Sequence, residues 1–149
     1  MRWFRLILQM LVILLFSCGA VSPGEHTRRD GNWWVAQSDV YKLTYVLGMF
    51  DGTTVGRDFA VRKFEDKQNL NVTTTTMILN AFTETEQRLM SNVTVGQVVA
   101  GLDDFYKDYK NRKIESVYAV EVVLEGAAGT PKNDLETWVE GMRQMASKY

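Results

Sequence analysis

The sequence predicts an all-α fold, a small orthogonal bundle of about four to five helices that follows an N-terminal signal peptide. Apolar residues recur at steps of three and four through much of the chain, which is the spacing of one helix face. Residues that favour helix caps precede several of these segments. Strand-like alternation is scarce, and the 149 residues include only two prolines.

The first twenty residues have the order of a secretory signal peptide. Arg2 and Arg5 flank a basic start, an apolar run covers residues 6–16, and small residues follow at 17–20. This run is too short to cross a bilayer, which takes roughly 20 residues. The sequence therefore predicts an exported protein that works in the periplasm or cell envelope.

Cys18 is the only cysteine, and it leaves the end of the signal open. In one interpretation residues 15–18 form a lipobox, so that Cys18 becomes the lipid-modified first residue of a bacterial lipoprotein. In another, cleavage follows Ala20 and removes the cysteine with the signal. A third interpretation is an uncleaved N-terminal anchor.

The composition argues against a nucleic-acid partner and against an intramolecular disulfide. Loss of Arg2 and Arg5 with the signal lowers the 17 basic residues to 15, against 18 acidic ones, for a net charge of −3. Without a basic excess to neutralise phosphates, nucleic acid is not expected as a partner. No cysteine follows Cys18, so no intramolecular disulfide is expected.

The exported part is long enough for one domain. Residues 21–32 are polar and predict a flexible lead-in, and residues 33–149 predict a single helical domain. Its first helix is expected at residues 39–51, with Ser38 as the cap and Gly52 as the stop. The apolar stripe expected to face inward consists of Val40, Leu43, Leu47 and Phe50.

The middle of the chain gives weaker signals. A turn is expected at residues 52–56, followed by a short helix at 58–67 with Phe59 and Phe64 facing inward. Four consecutive threonines favour an extended or irregular chain at 69–77, because β-branching weakens helix formation.

Capping patterns then define the remaining helices. Thr83 and Glu86 have capping-box spacing ahead of a short helix that ends near residue 91. Thr94 and Gln97 form a second capping box, which opens a helix reaching about residue 112. Its apolar stripe consists of Val98, Leu102, Phe105, Tyr106 and Tyr109.

Two further helices complete the predicted bundle. Ser116 opens the first of them, and Gly126 and Gly129 end it. Thr130 and Pro131 supply the cap and the first position of the last helix. The apolar face of that helix consists of Leu135, Trp138, Val139, Met142 and Met145.

No catalytic or metal-binding set is recognisable, so the sequence predicts neither an enzyme nor a cofactor. The only histidine, His26, lies in the lead-in, and the only cysteine lies in the signal region. A nucleophile with a histidine base and a zinc cluster are therefore not expected. A calcium-like start at Asp51 lacks the required ligands at Val55 and Arg62.

Two clusters have both a structural and a functional interpretation. Asp103, Asp104 and Asp108 could suggest paired carboxylates, but nearby lysines favour a solvated helix face with ion pairs. Trp33 and Trp34 could close the N-terminal end of the bundle. Alternatively, one of the two could stay exposed and bind a partner.

Two motifs carry a family resemblance over roughly residues 31–128. The first, a helix end, is Tyr-x-x-Gly-x-x-Asp-Gly, at Tyr45, Gly48, Asp51 and Gly52. The second, a helix start, is Thr-x-Gly-Gln, at Thr94, Gly96 and Gln97. In these motifs the chain resembles the Rap/Tai-type immunity proteins.

Those proteins are small, exported and helical, and they protect bacteria from type VI secretion amidases. The resemblance implies a non-enzymatic domain that binds and inhibits a peptidoglycan amidase effector, and it allows a homodimer. The alternative is a structural or housekeeping module of the cell envelope without a toxin partner.

Overall fold

The computed structural model describes residues 28–68 and 72–148, and it confirms the all-α fold. The predicted signal, Cys18 and residues 21–27 of the predicted lead-in lie outside the described residues. The described part contains six α-helices, α1 (Gly31–Val35), α2 (Asp39–Gln68), α3 (Val72–Met90), α4 (Val95–Phe105), α5 (Ser116–Ala127) and α6 (Lys132–Ala146). A 3₁₀ turn, η1 (Tyr109–Asn111), joins α4 to α5.

Helix α2 continues through Gly52, so the helix end predicted at this residue was wrong. A helical glycine costs only about 1 kcal/mol relative to alanine, so it weakens a helix without ending it. With 30 residues, α2 is about 45 Å long at 1.5 Å per residue. The turn predicted at 52–56 and the separate helix at 58–67 are therefore parts of one helix.

Helix α3 contains the four threonines, which were predicted to be extended. Thr75 is buried there against α2. Threonine hydroxyls elsewhere in the helices bond to the carbonyl four residues earlier, as Thr85 does to Ala81 at 2.9 Å. Packing on α2 thus outweighs the weak helix propensity of threonine. Thr83 and Glu86 lie inside this helix, so the capping box predicted there was also wrong.

The main core lies where α1, α2, α4 and α5 meet. Its fully buried side chains include Trp34, Val46, Val98, Leu102 and Tyr106. The face of α2 that reaches this core differs from the predicted one. Val40 is 74% exposed, and Leu43 and Leu47 are also exposed, as is Phe59 further along.

The capping box at the start of α4 is confirmed. Gln97 donates its backbone N–H to Thr94 Oγ1 at 3.2 Å, and the backbone N–H of Thr94 donates to Gln97 Oε1 at 2.8 Å. The helix ends at Phe105 rather than near residue 112, and Tyr109 is exposed. The chain turns there because Asp108 caps η1 by accepting from the Lys110 N–H at 3.0 Å.

Helix α5 ends at a Schellman motif. Gly129 has a φ of 93°, and the N–H of Thr130 donates to Glu125 O at 3.0 Å. Ser116 is the first residue of α5, as predicted. Pro131 rather than Thr130 occupies the cap position of α6, one residue later than predicted.

The end of the predicted flexible lead-in is held against the bundle. Asp30 caps α1 by accepting from the N–H of Asn32 at 2.9 Å. The carbonyl of Arg29 accepts from both the N–H and the Oγ of Ser116, at 2.7 and 2.6 Å. The Arg29 bonds attach the end of the predicted lead-in to the start of α5, and α1 begins within its last two residues.

Candidate functional site

An open apolar groove of about 600 Å³ lies between α2, α3 and α5. Met49, Phe50 and Thr53 form its α2 wall. Ile78, Phe82 and Leu89 lie along the α3 wall, and Val117, Val120 and Leu124 lie along the α5 wall. Its volume falls in the range of about 300–1,000 Å³ that is common for ligand sites.

The groove exposes apolar side chains that the described helices do not cover. Val120 and Leu124 form a buried floor, whereas Ile78 is 45% exposed and Val117 is 49% exposed. Single exposed apolar residues are ordinary, but a concave cluster of them marks a binding surface. This groove is therefore the candidate functional site.

A second cavity of about 250 Å³ continues the groove along the α2–α3 seam. It shares Thr53, Ile78 and Phe82 with the larger cavity. Gly56 and Ala60 lie in its wall. Glycine has no side chain and alanine only a methyl group, so the space between the two helices stays open. The two cavities are therefore adjacent, and the smaller one lies towards the C-terminal half of α2.

Charged residues at the junction of the two cavities are paired. Arg57 Nη1 lies 3.3 Å from Glu86 Oε2, and Thr54 Oγ1 donates to Glu86 Oε1 at 3.3 Å. Arg57 Nε also pairs with Asp58 Oδ1 at 3.0 Å. On the α5 wall, Glu121 makes no ion pair with the described residues.

A two-bond ion pair holds the α3 and α5 walls together. Arg88 Nη1 and Nη2 donate to the two carboxylate oxygens of Glu125 at 2.8 and 2.6 Å. Thr130 Oγ1 adds a third bond to that carboxylate at 2.7 Å. The Arg88 hydrogen bond, followed by that of Thr130, lowers the pKa of Glu125 from 4.5 to about 2.

Trp33 and Trp34 have different environments. Trp34 is fully buried, and its Nε1 donates to Asp103 Oδ1 at 2.8 Å. Trp33 is half-buried and packs edge-on against Tyr45, with ring centroids 5.0 Å apart, below the Arg29 guanidinium. Trp34 is thus inaccessible to a partner, and Trp33 can offer one only part of its ring.

The three aspartates of the α4 region are solvated and ion-paired, as predicted, with side-chain exposures of 40%, 78% and 44% for Asp103, Asp104 and Asp108, but two of the pairs join α4 and its following turn to other elements. Asp103 accepts from Lys42 Nζ at 2.7 Å, and Lys42 is only 8% exposed. Asp104 pairs with Lys107 on the surface at 3.0 Å. Asp108 pairs with Arg143 of α6 at 3.2 Å, so two of the three connect different elements.

The family-motif residues fall in three places. Tyr45 belongs to the aromatic cluster, and Thr94 and Gln97 form the cap of α4. Asp51 and Gly96 are exposed. Gly48 and Gly52 are also exposed, and a Cβ at either position would meet nothing within 4 Å. The motif residues therefore lie outside the groove lining.

No sequence pattern pointed to the groove, because its walls come from three separate helices and no single segment contains them. Among the described residues, no three His, Cys, Asp or Glu side chains are grouped so that they could hold a metal ion. None of the helices in that part of the chain is both long and apolar enough to span a membrane.

Neither a family model, nor a curated protein, nor a solved structure matches the chain.

Proposed function

We propose that this chain is an exported, non-enzymatic domain that binds a protein partner in the groove between α2, α3 and α5. The single observation that supports this function is the exposed apolar concavity, with Ile78 and Val117 at its rim. Burial of apolar side chains in such a groove supplies the main free energy of most protein association.

The resemblance described above suggests the identity of the partner. We propose a secreted peptidoglycan amidase, which the domain would inhibit in the periplasm as an immunity protein. Binding through a groove requires no catalytic group of this chain, which agrees with a purely inhibitory role.

The test compares two neighbouring residues of α3. Ile78 lines the groove, whereas Met77 is 67% exposed and lies outside the groove lining. We expect Ile78→Asp to weaken binding to an amidase encoded beside this gene by at least tenfold, because the carboxylate would enter an apolar site. Met77→Asp is the matched control and should bind normally.

Binding is measured by titration calorimetry, and inhibition by the release of peptidoglycan fragments. Equal binding by both variants would remove the groove from the proposed function. Absence of a neighbouring amidase gene, together with no inhibition of any tested amidase, would favour the structural envelope module instead.

A further inference from the structure

The charged residues that line the larger cavity carry one sign. Of the described residues in its lining, Glu86 and Glu121 are acidic and none is basic. Glu86 belongs to α3 and Glu121 to α5, so each of these two walls carries a carboxylate. Every other described residue of the lining is uncharged.

This negative charge is not neutralised by the neighbours of Glu86. Arg57 is one guanidinium shared by two carboxylates, those of Glu86 and Asp58, at 3.3 and 3.0 Å. The three groups together keep one net negative charge. Glu121 adds a second, because no described residue forms an ion pair with it.

The dimensions of the groove suit a short helix. Its α3 wall runs from Ile78 to Met90, which spans about 18 Å at 1.5 Å per residue. A partner helix of about 12 residues has this length. Three converging helices with an apolar floor form the kind of groove that receives the apolar face of an amphipathic helix.

We propose, taking the groove as the partner-binding site inferred above, that it receives an amphipathic helix of the partner whose apolar face is flanked by lysine or arginine. The apolar face covers Val117, Val120 and Leu124. The basic flanks reach the carboxylates of Glu86 and Glu121. The same carboxylates repel an acidic helix or an anionic lipid, which makes the groove selective.

Two synthetic peptides of about 12 residues test this selectivity. Both carry the same leucine face, and one has lysine flanks while the other has glutamate flanks. We expect the lysine-flanked peptide to bind the purified chain about fivefold more tightly, since each of the two exposed charge pairs changes affinity by up to about fivefold. Titration calorimetry at low and high salt measures both dissociation constants, and the preference should shrink at high salt.

Glu121→Lys is the decisive variant, and Glu84→Lys is its matched control. Glu84 is exposed on α3 and lies outside the groove lining. We expect Glu121→Lys to abolish the preference between the two peptides, because it takes the groove from two net negative charges to none. Glu84→Lys should preserve the preference. Both are surface substitutions, and circular dichroism checks that each variant is folded.

Equal affinity for the two peptides, or an unchanged preference in Glu121→Lys, would overturn the proposed charge selection. If Ile78→Asp still abolished binding of the amidase in that case, the groove would remain the partner site. A groove that bound palmitate and neither peptide would overturn the helical occupant. Failure of the groove as the amidase site is detected separately, by normal amidase binding of Ile78→Asp.

Discussion

At the scale of single residues, Asp103 connects three helices through one carboxylate. Its Oδ1 accepts from Trp34 of α1 and from Lys42 of α2, at 2.8 and 2.7 Å. An ammonium as buried as that of Lys42 is costly without such a partner. The core between these helices therefore depends on a partly exposed carboxylate whose bonds to α1 and α2 the sequence did not predict.

We expect Asp103→Ala to lower the free energy of unfolding by about 1–3 kcal/mol, because two buried donors lose their acceptor. Asp104→Ala is the control on the same helix, where an exposed pair contributes less than about 1 kcal/mol. Urea denaturation monitored by circular dichroism measures both. Equal losses in the two variants would contradict the role given to Asp103.

The ion pair of Glu125 with Arg88 should make stability depend on pH. The pKa of Glu125 falls from 4.5 to about 2 on folding, so the stabilisation is complete above pH 4.5 and is lost as pH falls towards 2. We expect Glu125→Gln to lower the urea midpoint at pH 7 and to match the parent protein near pH 2. A midpoint difference that stayed constant from pH 7 to pH 2 would argue against the pair.

At the scale of elements, two helical glycines should respond oppositely to the same substitution. A Cβ at Gly52 would meet open space, so Gly52→Ala should stabilise α2 by about 0.5–1 kcal/mol. A Cβ at Gly31 would overlap the Tyr106 ring and approach the backbone of Arg112 to 2.8 Å, so Gly31→Ala should destabilise the core. Thermal melts of both variants compare the signs, and a melting temperature lowered by Gly52→Ala would contradict this interpretation.

Elements that are fixed by contacts within one turn of the chain could be predicted from the sequence, whereas elements fixed by packing between helices could not. The start of α4 and the end of α5 were predictable because Thr94 with Gln97, and Gly129, act within one turn of the chain. The two long helices α2 and α3 were not predictable, because Gly52 and the four threonines lower helix propensity locally and therefore predicted a turn and an extended segment. Packing between the two helices then decides the outcome.

The candidate site was beyond sequence reasoning for a related reason. Periodicity identified apolar residues on α2, but it assigned Val40 and Leu47 to the core, whereas Val46 occupies that position. The phase of a helix around its axis is set by its neighbours. The groove is lined by side chains of α2, α3 and α5 that the packing of these helices leaves uncovered. No single segment of the sequence therefore predicts it.

At the scale of the whole molecule, the lipobox interpretation of Cys18 predicts how the domain would be attached to a membrane. If residues 15–18 are a lipobox, the acyl chains on Cys18 anchor the protein, each buried CH₂ contributing about 0.8 kcal/mol. We expect Cys18→Ser to release the protein from the membrane fraction and to block lipoprotein processing. Intact mass spectrometry of the exported protein gives the direct measurement, and an unmodified chain that begins at Val21 would contradict lipidation.

The length of the α2–α3 hairpin also has a consequence for motion. Near Val46, α2 is enclosed by other helices, whereas around Gly56 and Ala60 the described packing is with α3 and includes a cavity. Regions with few buried contacts open at a small fraction of the global unfolding free energy. We therefore expect the α2–α3 contacts around Gly56 and Ala60 to open at a lower free-energy cost than the core around Val46. A ligand in the adjoining groove would hold the two helices together. Part of its binding free energy would then be offset by the conformational entropy that the helices lose.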